Sequence, residues 1–170
     1  MNALVVYESM WGNSRAVAAA IAEGIDGNVR LVDVTHAPVP LPEDVDLLVV
    51  GGPTHAFSMS RATTRRDAEG KGAETGHAAR GIREWLGDLR PCDRLDVATF
   101  DTRVGSVRHL PGSAAKAAAK EVRRQHLGRL LASASFFVDD MAGPLLDGEL
   151  ERARDWGRSL AGMRVGKGGS

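Results

Sequence analysis

The chain has 170 residues, of which 43% are hydrophobic and 26% charged, and its formal net charge at pH 7 is zero. This composition is ordinary for one globular domain with a sizeable core, and zero net charge argues against a partner such as nucleic acid that is attracted by an overall field. No apolar run approaches the roughly 20 residues that span a bilayer. The single cysteine, Cys92, excludes an internal disulfide and, with no signal peptide evident, predicts a cytoplasmic setting.

Apolar runs and helical spacings alternate along the chain. The apolar runs predict strands over Ala3–Tyr7, Asn28–Asp33, Leu47–Gly52, Leu95–Phe100 and Leu130–Val138. Apolar residues three or four positions apart predict helices over Arg15–Ile25, Gly81–Leu89, Ser113–Gln125 and a last helix with Leu146, Leu150, Ala153, Trp156 and Leu160 on one face. Strands that are apolar throughout and joined by crossovers are typical of a parallel α/β sheet with both faces covered.

The loop after the first predicted strand leads directly into a helix and contains Ser9, Gly12, Asn13 and Ser14. Backbone N–H groups at such a helix start lack partners within the helix, and the helix dipole favours an anion there, most often a phosphate. The two serines add hydroxyl donors, and the glycine allows close approach to the backbone. We interpret the loop as a phosphate cradle. The alternative is an ordinary βα turn in which the asparagine or the second serine caps the helix.

The segment Ser9-Met10-Trp11-Gly12-Asn13-Ser14 resembles the flavodoxin phosphate loop, [ST]-x-T-G-x-[ST], which follows the first strand in that family. Patterns for a nucleoside-triphosphate P-loop and for a dinucleotide site do not occur after this strand. Trp11 replaces the usual threonine, which either weakens the site or lets the indole pack over the ligand or the loop. The resemblance implies FMN as the cofactor and one flavodoxin-like domain over residues 1–165, with a five-stranded parallel sheet in the order 2-1-3-4-5.

The segment Pro53-Thr54-His55-Ala56-Phe57 follows the third predicted strand. Doubly wound sheets bind ligands at the carboxyl ends of their strands, where the strand order reverses, and the first and third strands flank that point. We therefore expect this segment beside the phosphate cradle, and it resembles the flavodoxin loop that contacts the flavin ring. His55 or Phe57 would supply a flat surface for the ring. The alternative is a turn in which Phe57 covers the core.

A third loop at the same edge, Asp101–Ser106, follows the fourth predicted strand. The resemblance implies that Thr102, Arg103 and Val104 bracket the other face of the ring, where flavodoxins commonly carry an aromatic residue with acidic neighbours. A cation there would raise the reduction potential of a bound flavin, whereas stacked aromatics and carboxylates lower it. The alternative for Arg103 is a surface cation surrounded by solvent.

Residues 58–80 contain several glycines and arginines and almost no large apolar side chains. This predicts a long, basic, lid-like loop that covers the exposed edge of the flavin or attracts an anionic partner. A mobile solvated loop is the alternative, and a short helix over 62–73 would lack an apolar stripe to anchor it. Residues 166–170 are expected to form a flexible tail.

From these features we expect a flavoprotein that transfers electrons. The phosphate would bind Ser9–Ser14, and the ring would lie between Thr54–Phe57 and Thr102–Val104. Because a flavin carries its own chemistry, no protein nucleophile or acid–base pair is expected. Two alternatives stay open: an FMN-dependent NAD(P)H:quinone oxidoreductase, and a binding module that kept the fold but lost the cofactor. The expected partner is a redox protein or a small quinone or nicotinamide substrate.

Overall fold

The apolar runs of the sequence form the strands of one sheet in the computed structural model, which describes residues 1–164. The strands are β1 (Asn2–Tyr7), β2 (Asn28–Asp33), β3 (Leu47–His55), β4 (Ser58–Met59), β5 (Asp96–Val104) and β6 (Arg129–Val138). The helices are α1 (Asn13–Gly24), α2 (Ala62–Gly70), α3 (Ile82–Asp88), α4 (Ala114–Arg124) and α5 (Glu149–Arg164). The tail expected at residues 166–170 lies outside the described residues. Within residues 1–164, no helix is both long and apolar enough to cross a membrane.

The parallel strands lie in the order β2-β1-β3-β5-β6. Since β5 and β6 are the fourth and fifth predicted strands, the predicted 2-1-3-4-5 order is confirmed. The short strand β4 was not predicted. It pairs antiparallel with the end of β3, which places Thr54 opposite Met59 and His55 opposite Ser58.

Side chains that alternate along the strands divide the core between the two faces of the sheet. Leu4 and Val6 of β1 point into a core that α3 and α4 cover, whereas Ala3 and Val5 point into a core that α1 and α5 cover. The predicted apolar face of α3, which includes Trp85, is completely buried. The layers are therefore helix, sheet and helix, and the loops at the carboxyl ends of the strands are free to build a site.

Helix α5 differs in detail from the predicted stripe. It begins at Glu149, so Leu146 precedes the helix, and Leu150 is 42% exposed. Ala153 and Leu160 are buried as predicted, and Gly157 is buried beside them on the face that packs closely against α1. The prediction was wrong for Leu150 because the small residue Gly157, which carries no apolar signal, sets the contact face.

Residues 58–80 differ from the expected loop, since they include β4 and α2. Arg65 of α2 is completely buried, and its guanidinium donates hydrogen bonds to Ser60, to the carbonyl of Ala78 and to Glu84. Polar contacts thus anchor α2, which explains why the sequence shows no apolar stripe there. The predicted loop at Asp101–Ser106 is also shorter than expected, because β5 continues as far as Val104.

Candidate functional site

The segments that follow β1, β3 and β5 meet at one edge of the sheet around a pocket with about 520 Å³ of free space. The pocket lining includes Ser9, Met10, Trp11, Asn13, Ser14, Pro53, Thr54, His55, Thr102, Arg103, Val104, Val138 and Met141. All predicted site residues except Gly12, Ala56 and Phe57 therefore line one pocket. Val138 and Met141 are additions that were not predicted.

The loop before α1 is shaped by Gly12. This residue caps the helix with φ +90°, a left-handed conformation that favours glycine, and no side chain caps the helix. The alternative in which Asn13 or Ser14 caps the helix is therefore wrong. The hydroxyl oxygen of Ser9 accepts a hydrogen bond from the Gly12 N–H at 3.1 Å and fixes the turn.

The same loop presents backbone donors. Among residues 1–164, no acceptor takes the N–H groups of Trp11, Asn13 or Ser14. A Cβ built on Gly12 would meet no atom within 4 Å, so the space in front of the glycine is open. Free N–H groups at a helix N-terminus beside open space form an arrangement that binds anions.

A buried pair of hydroxyls joins the first and third loops. Ser14 Oγ lies 2.7 Å from Thr102 Oγ1, and both residues are buried. Thr102 is in register with Pro53 at the end of β3, so the three segments around the pocket are held together. Thr54 Oγ1 also accepts a hydrogen bond from the N–H of Ala114 at the start of α4.

The hairpin between β3 and β4 separates His55 from Phe57. Ala56 and Phe57 both have positive φ values, 47° and 63°, because the turn between the paired strands is tight. Phe57 consequently points outward, is 49% exposed and lies next to Gly112 rather than in the pocket. Ala56 lines a neighbouring cleft that shares Thr54, His55 and Met141 with the pocket.

His55 remains in the wall and offers a flat, uncharged ring. Its Nδ1 lies 3.0 Å from Thr64 Oγ1. Burial lowers the pKa of His55, and the nearby positive charge of Arg65 lowers this pKa further. The imidazole is therefore neutral at pH 7, since its ordinary value is 6.5.

Arg103 is a buried residue of the pocket wall, only 6% exposed, so its interpretation as a solvated surface cation is wrong. Its Nη2 donates hydrogen bonds to the carbonyls of Val107 at 3.0 Å and Leu110 at 3.1 Å. The side chain is buried because the segment that follows β5 folds back over it.

Comparison with known proteins agrees with this geometry. Residues 4–65 match a family model described as a flavodoxin domain, whereas no curated protein sequence matches the chain significantly. A flavodoxin from the domain Archaea is 18% identical, with a TM-score of 0.60 over 95% of this chain and 97% of that one. The fold is that of the flavodoxins. The resemblance predicted from the two motifs is thereby confirmed.

Two further flavodoxin-fold structures are similar over nearly their whole length. A *Fusobacterium nucleatum* flavodoxin bound to flavin mononucleotide is 11% identical, with a TM-score of 0.60 over 95% of this chain and 97% of that one. A flavodoxin, WrbA-like protein from *Agrobacterium tumefaciens* is 20% identical, with a TM-score of 0.52 over 98% of this chain and 99% of that one.

Trp11, at the position where flavodoxins usually have threonine, lines the pocket. Its indole contacts a small buried cluster that comprises Met10, Ala68 and Ala73. Of the alternatives for this residue, the structure therefore shows packing over the loop, against α2 and the turn that follows it. The backbone of the flavodoxin-like loop keeps its free N–H groups.

Sequence reasoning missed the contribution of residues 139–148, which connect β6 to α5. Met141 lines both the pocket and the neighbouring cleft, and Gly143 lies so close to Asn13 that a Cβ on the glycine would be 2.8 Å from Asn13 Oδ1. No local pattern marks this segment, because its place beside the first loop depends on β6 and α5 rather than on its own residues.

Proposed function

We propose that this flavodoxin-fold chain binds FMN in the pocket and transfers electrons between redox partners. The observation that carries the proposal is the cradle at the start of α1, where free N–H groups surround open space in front of Gly12. One of the similar structures is described as bound to flavin mononucleotide. We place the protein in the cytoplasm, in keeping with its single cysteine.

The residues around the pocket fit the two ends of FMN. The N–H groups of Trp11, Asn13 and Ser14 would hold the phosphate, while Thr54–His55 and Thr102–Val104 would hold the ring. When bound, FMN supplies one- and two-electron chemistry. The chain positions it, excludes water and, through Trp11, connects the site to α2.

The first test uses the position in front of the cradle. Gly12→Asp places a carboxylate where the phosphate would bind, and Gly12→Asn is the matched control because both residues tolerate a left-handed backbone. After removal of free ligand, we expect flavin absorbance at about one equivalent in the wild type, and Gly12→Asn measures the effect of a side chain of the same size without charge. In Gly12→Asp, repulsion should lower the affinity for FMN at least about tenfold.

A wild-type protein that retains no flavin and quenches no FMN fluorescence at micromolar concentration would contradict the proposal. It would favour a binding module without cofactor. Equal retention by Gly12→Asp and Gly12→Asn would contradict the location of the phosphate.

A quinone oxidoreductase is the second candidate function, and one observation favours it. The cleft lined by Ala56, Thr64, Asp67 and Ala68 adjoins the pocket through a shared wall, which gives a small substrate room beside the cofactor. Oxidation of NAD(P)H by a quinone with the purified FMN-loaded protein alone would support the enzyme, whereas turnover only with an added reductase would support a carrier.

A further inference from the structure

Two arginines of this protein are buried, and their surroundings differ. Arg65 is completely buried, and each nitrogen of its guanidinium donates a hydrogen bond. Nη2 lies 2.6 Å from Glu84 Oε1, Nη1 lies 2.8 Å from Ser60 Oγ, and Nε lies 3.0 Å from the carbonyl oxygen of Ala78. Its charge is balanced by a carboxylate, which is the usual arrangement for a buried cation. Arg65 has a structural role that its contacts explain.

Arg103 lacks such a balance. It is 94% buried, yet within residues 1–164 its guanidinium forms no ion pair, and Nε is buried without an acceptor. The carboxylate two positions earlier, Asp101, instead accepts a hydrogen bond from the N–H of Ala115 at 2.8 Å. Only Nη2 is used, by the carbonyls of Val107 and Leu110.

A buried charge without a counter-charge is destabilising in general, because it has lost its hydration. Arginine cannot relieve this cost by losing its proton, because it stays charged in proteins. Arg103 also lines the pocket. Arg103 is therefore a buried cation in a pocket wall, and one of its N–H donors has no acceptor. Such a group suits a ligand that brings negative charge or an electron-rich edge.

We propose that Arg103 supplies positive charge to the cofactor in the pocket and favours its reduced form, which raises the reduction potential of the bound flavin. This inference rests on the proposed binding of FMN. Reduction adds negative charge to a flavin, and a fixed cation favours the more negative state. Because Arg103 is shielded from water, its interaction is stronger than that of a surface arginine.

The experiment compares Arg103→Met, Arg103→Lys and Arg108→Met, with the wild type, all loaded with FMN. Arg108 is an exposed arginine five positions later, so its variant removes the same charge outside the pocket. Equilibration with redox dyes gives the midpoint potential, and fluorescence titration gives the affinity for oxidised FMN. In Arg103→Met we expect the affinity for reduced relative to oxidised FMN to fall about tenfold, which is about 30 mV for a two-electron couple.

Arg103→Lys and Arg108→Met should stay close to the wild type at neutral pH. High salt should not abolish the effect of Arg103→Met, because a buried charge is poorly screened. Should Arg103→Met fail to fold, Arg103→Gln decides the matter: its amide can still donate to a carbonyl but carries no charge, so its potential should fall below that of the wild type.

Two results would overturn the inference, and they differ in whether the proposed binding of FMN is also refuted. If the wild type and Arg103→Met bind FMN with the same potential, or Arg103→Gln has the wild-type potential when Arg103→Met does not fold, the role of Arg103 is refuted and FMN binding stands. If the wild type retains no FMN, both the proposed function and this inference fail.

Discussion

Glu8, the last residue before the Ser9–Ser14 loop, shows how a single buried carboxylate joins three segments. It accepts hydrogen bonds from the N–H of Ile82 at 2.9 Å and from the hydroxyl of Ser60, which in turn accepts one from Arg65. Burial raises the pKa of Glu8 above its ordinary value of 4.5, although these hydrogen bonds oppose the shift. The loop thus begins at a residue whose position is fixed from behind by polar contacts.

Substitution of this residue should change the pH dependence of stability. Because the pKa of Glu8 is raised in the folded state, the contribution of this residue to the free energy of unfolding is fully present below pH 4.5. It is lost as the pH rises through the raised pKa. Glu8→Gln cannot ionise and should lack this loss. We therefore expect the stability of Glu8→Gln relative to the wild type to increase from pH 4 upward, measured by urea unfolding at a series of pH values. Parallel curves for the two proteins would contradict the role of ionisation.

Among the elements, α1 and α5 owe their close packing to glycines. A Cβ on Gly157 would overlap the carbonyl oxygen of Ile21, and one on Gly24 would overlap the carbonyl oxygen of Arg154. The two backbones therefore approach more closely than larger residues would allow. Because α1 begins at the cradle, this contact also fixes the direction in which its N-terminus points.

Two alanine substitutions in α5 separate packing from helix propensity. Gly157→Ala should destabilise the protein by roughly 1–3 kcal/mol, because the added methyl group forces the helices apart. Gly162→Ala is the matched control, since a Cβ there meets nothing within 4 Å. It should stabilise the helix by up to about 1 kcal/mol. Thermal unfolding of both variants measures the effects, and equal shifts would refute the packing argument.

The elements also show what the sequence could reveal. The five long strands were predictable from their apolar runs, which are largely buried in β1, β3 and β5 and only partly buried in the outer strands β2 and β6. The cap of α4 was predictable from Ser113, whose hydroxyl accepts the Lys116 N–H at 3.3 Å. Helix α2 was missed as a defined element because a buried arginine anchors it. The polar end of β5 looked like a loop because its burial depends on the segment that folds back over Arg103.

Across the whole molecule, the two edges of the sheet have different roles. The pocket lies at the carboxyl ends of the strands, whereas Asp96, at the amino end of β5, joins β6 and α5 through Arg129 at 2.9 Å and Arg164 at 2.8 Å. Burial opposes ionisation of Asp96, but the hydrogen bonds from the two arginines outweigh it and hold its pKa below 3.8. The amino edge therefore contributes to stability without touching the site.

Asp96→Asn tests whether the amino edge of the sheet contributes to stability without affecting the pocket. At pH 7 it should lower the free energy of unfolding by about 1–3 kcal/mol, because two partly buried arginines lose their partner. The lowered pKa means that the wild-type contribution is present above 3.8 and is lost as the pH falls below that value. The affinity for FMN should not change. Chemical denaturation and FMN titration measure the two quantities, and a matching loss of affinity would contradict the separation.

The parts of the candidate site that strand topology determines could be predicted, whereas the parts that depend on tertiary packing could not. Residues such as Ser14 and Thr102 lie directly after or at the end of a strand, so the topology alone brings them to one edge. Phe57 was expected in the pocket but points outward, because pairing of β3 with β4 forces a tight turn. Met141 belongs to a distant segment, and only the packing of the complete fold brings it to the pocket.

The polar attachment of α2 affects how readily this helix separates from the rest of the fold. The contacts of Arg65 can be exchanged for contacts with water, and the apolar cluster beneath α2 includes only three buried residues, Met10, Ala68 and Ala73. Separation of α2 from Trp11 therefore exposes little apolar surface, whereas separation of the sheet from its other helices exposes two large cores. Regions with few apolar contacts open at lower free energy than the core. We therefore expect the backbone amides of α2 to exchange with solvent at a lower free energy of opening than those of the sheet, which native-state hydrogen exchange would measure.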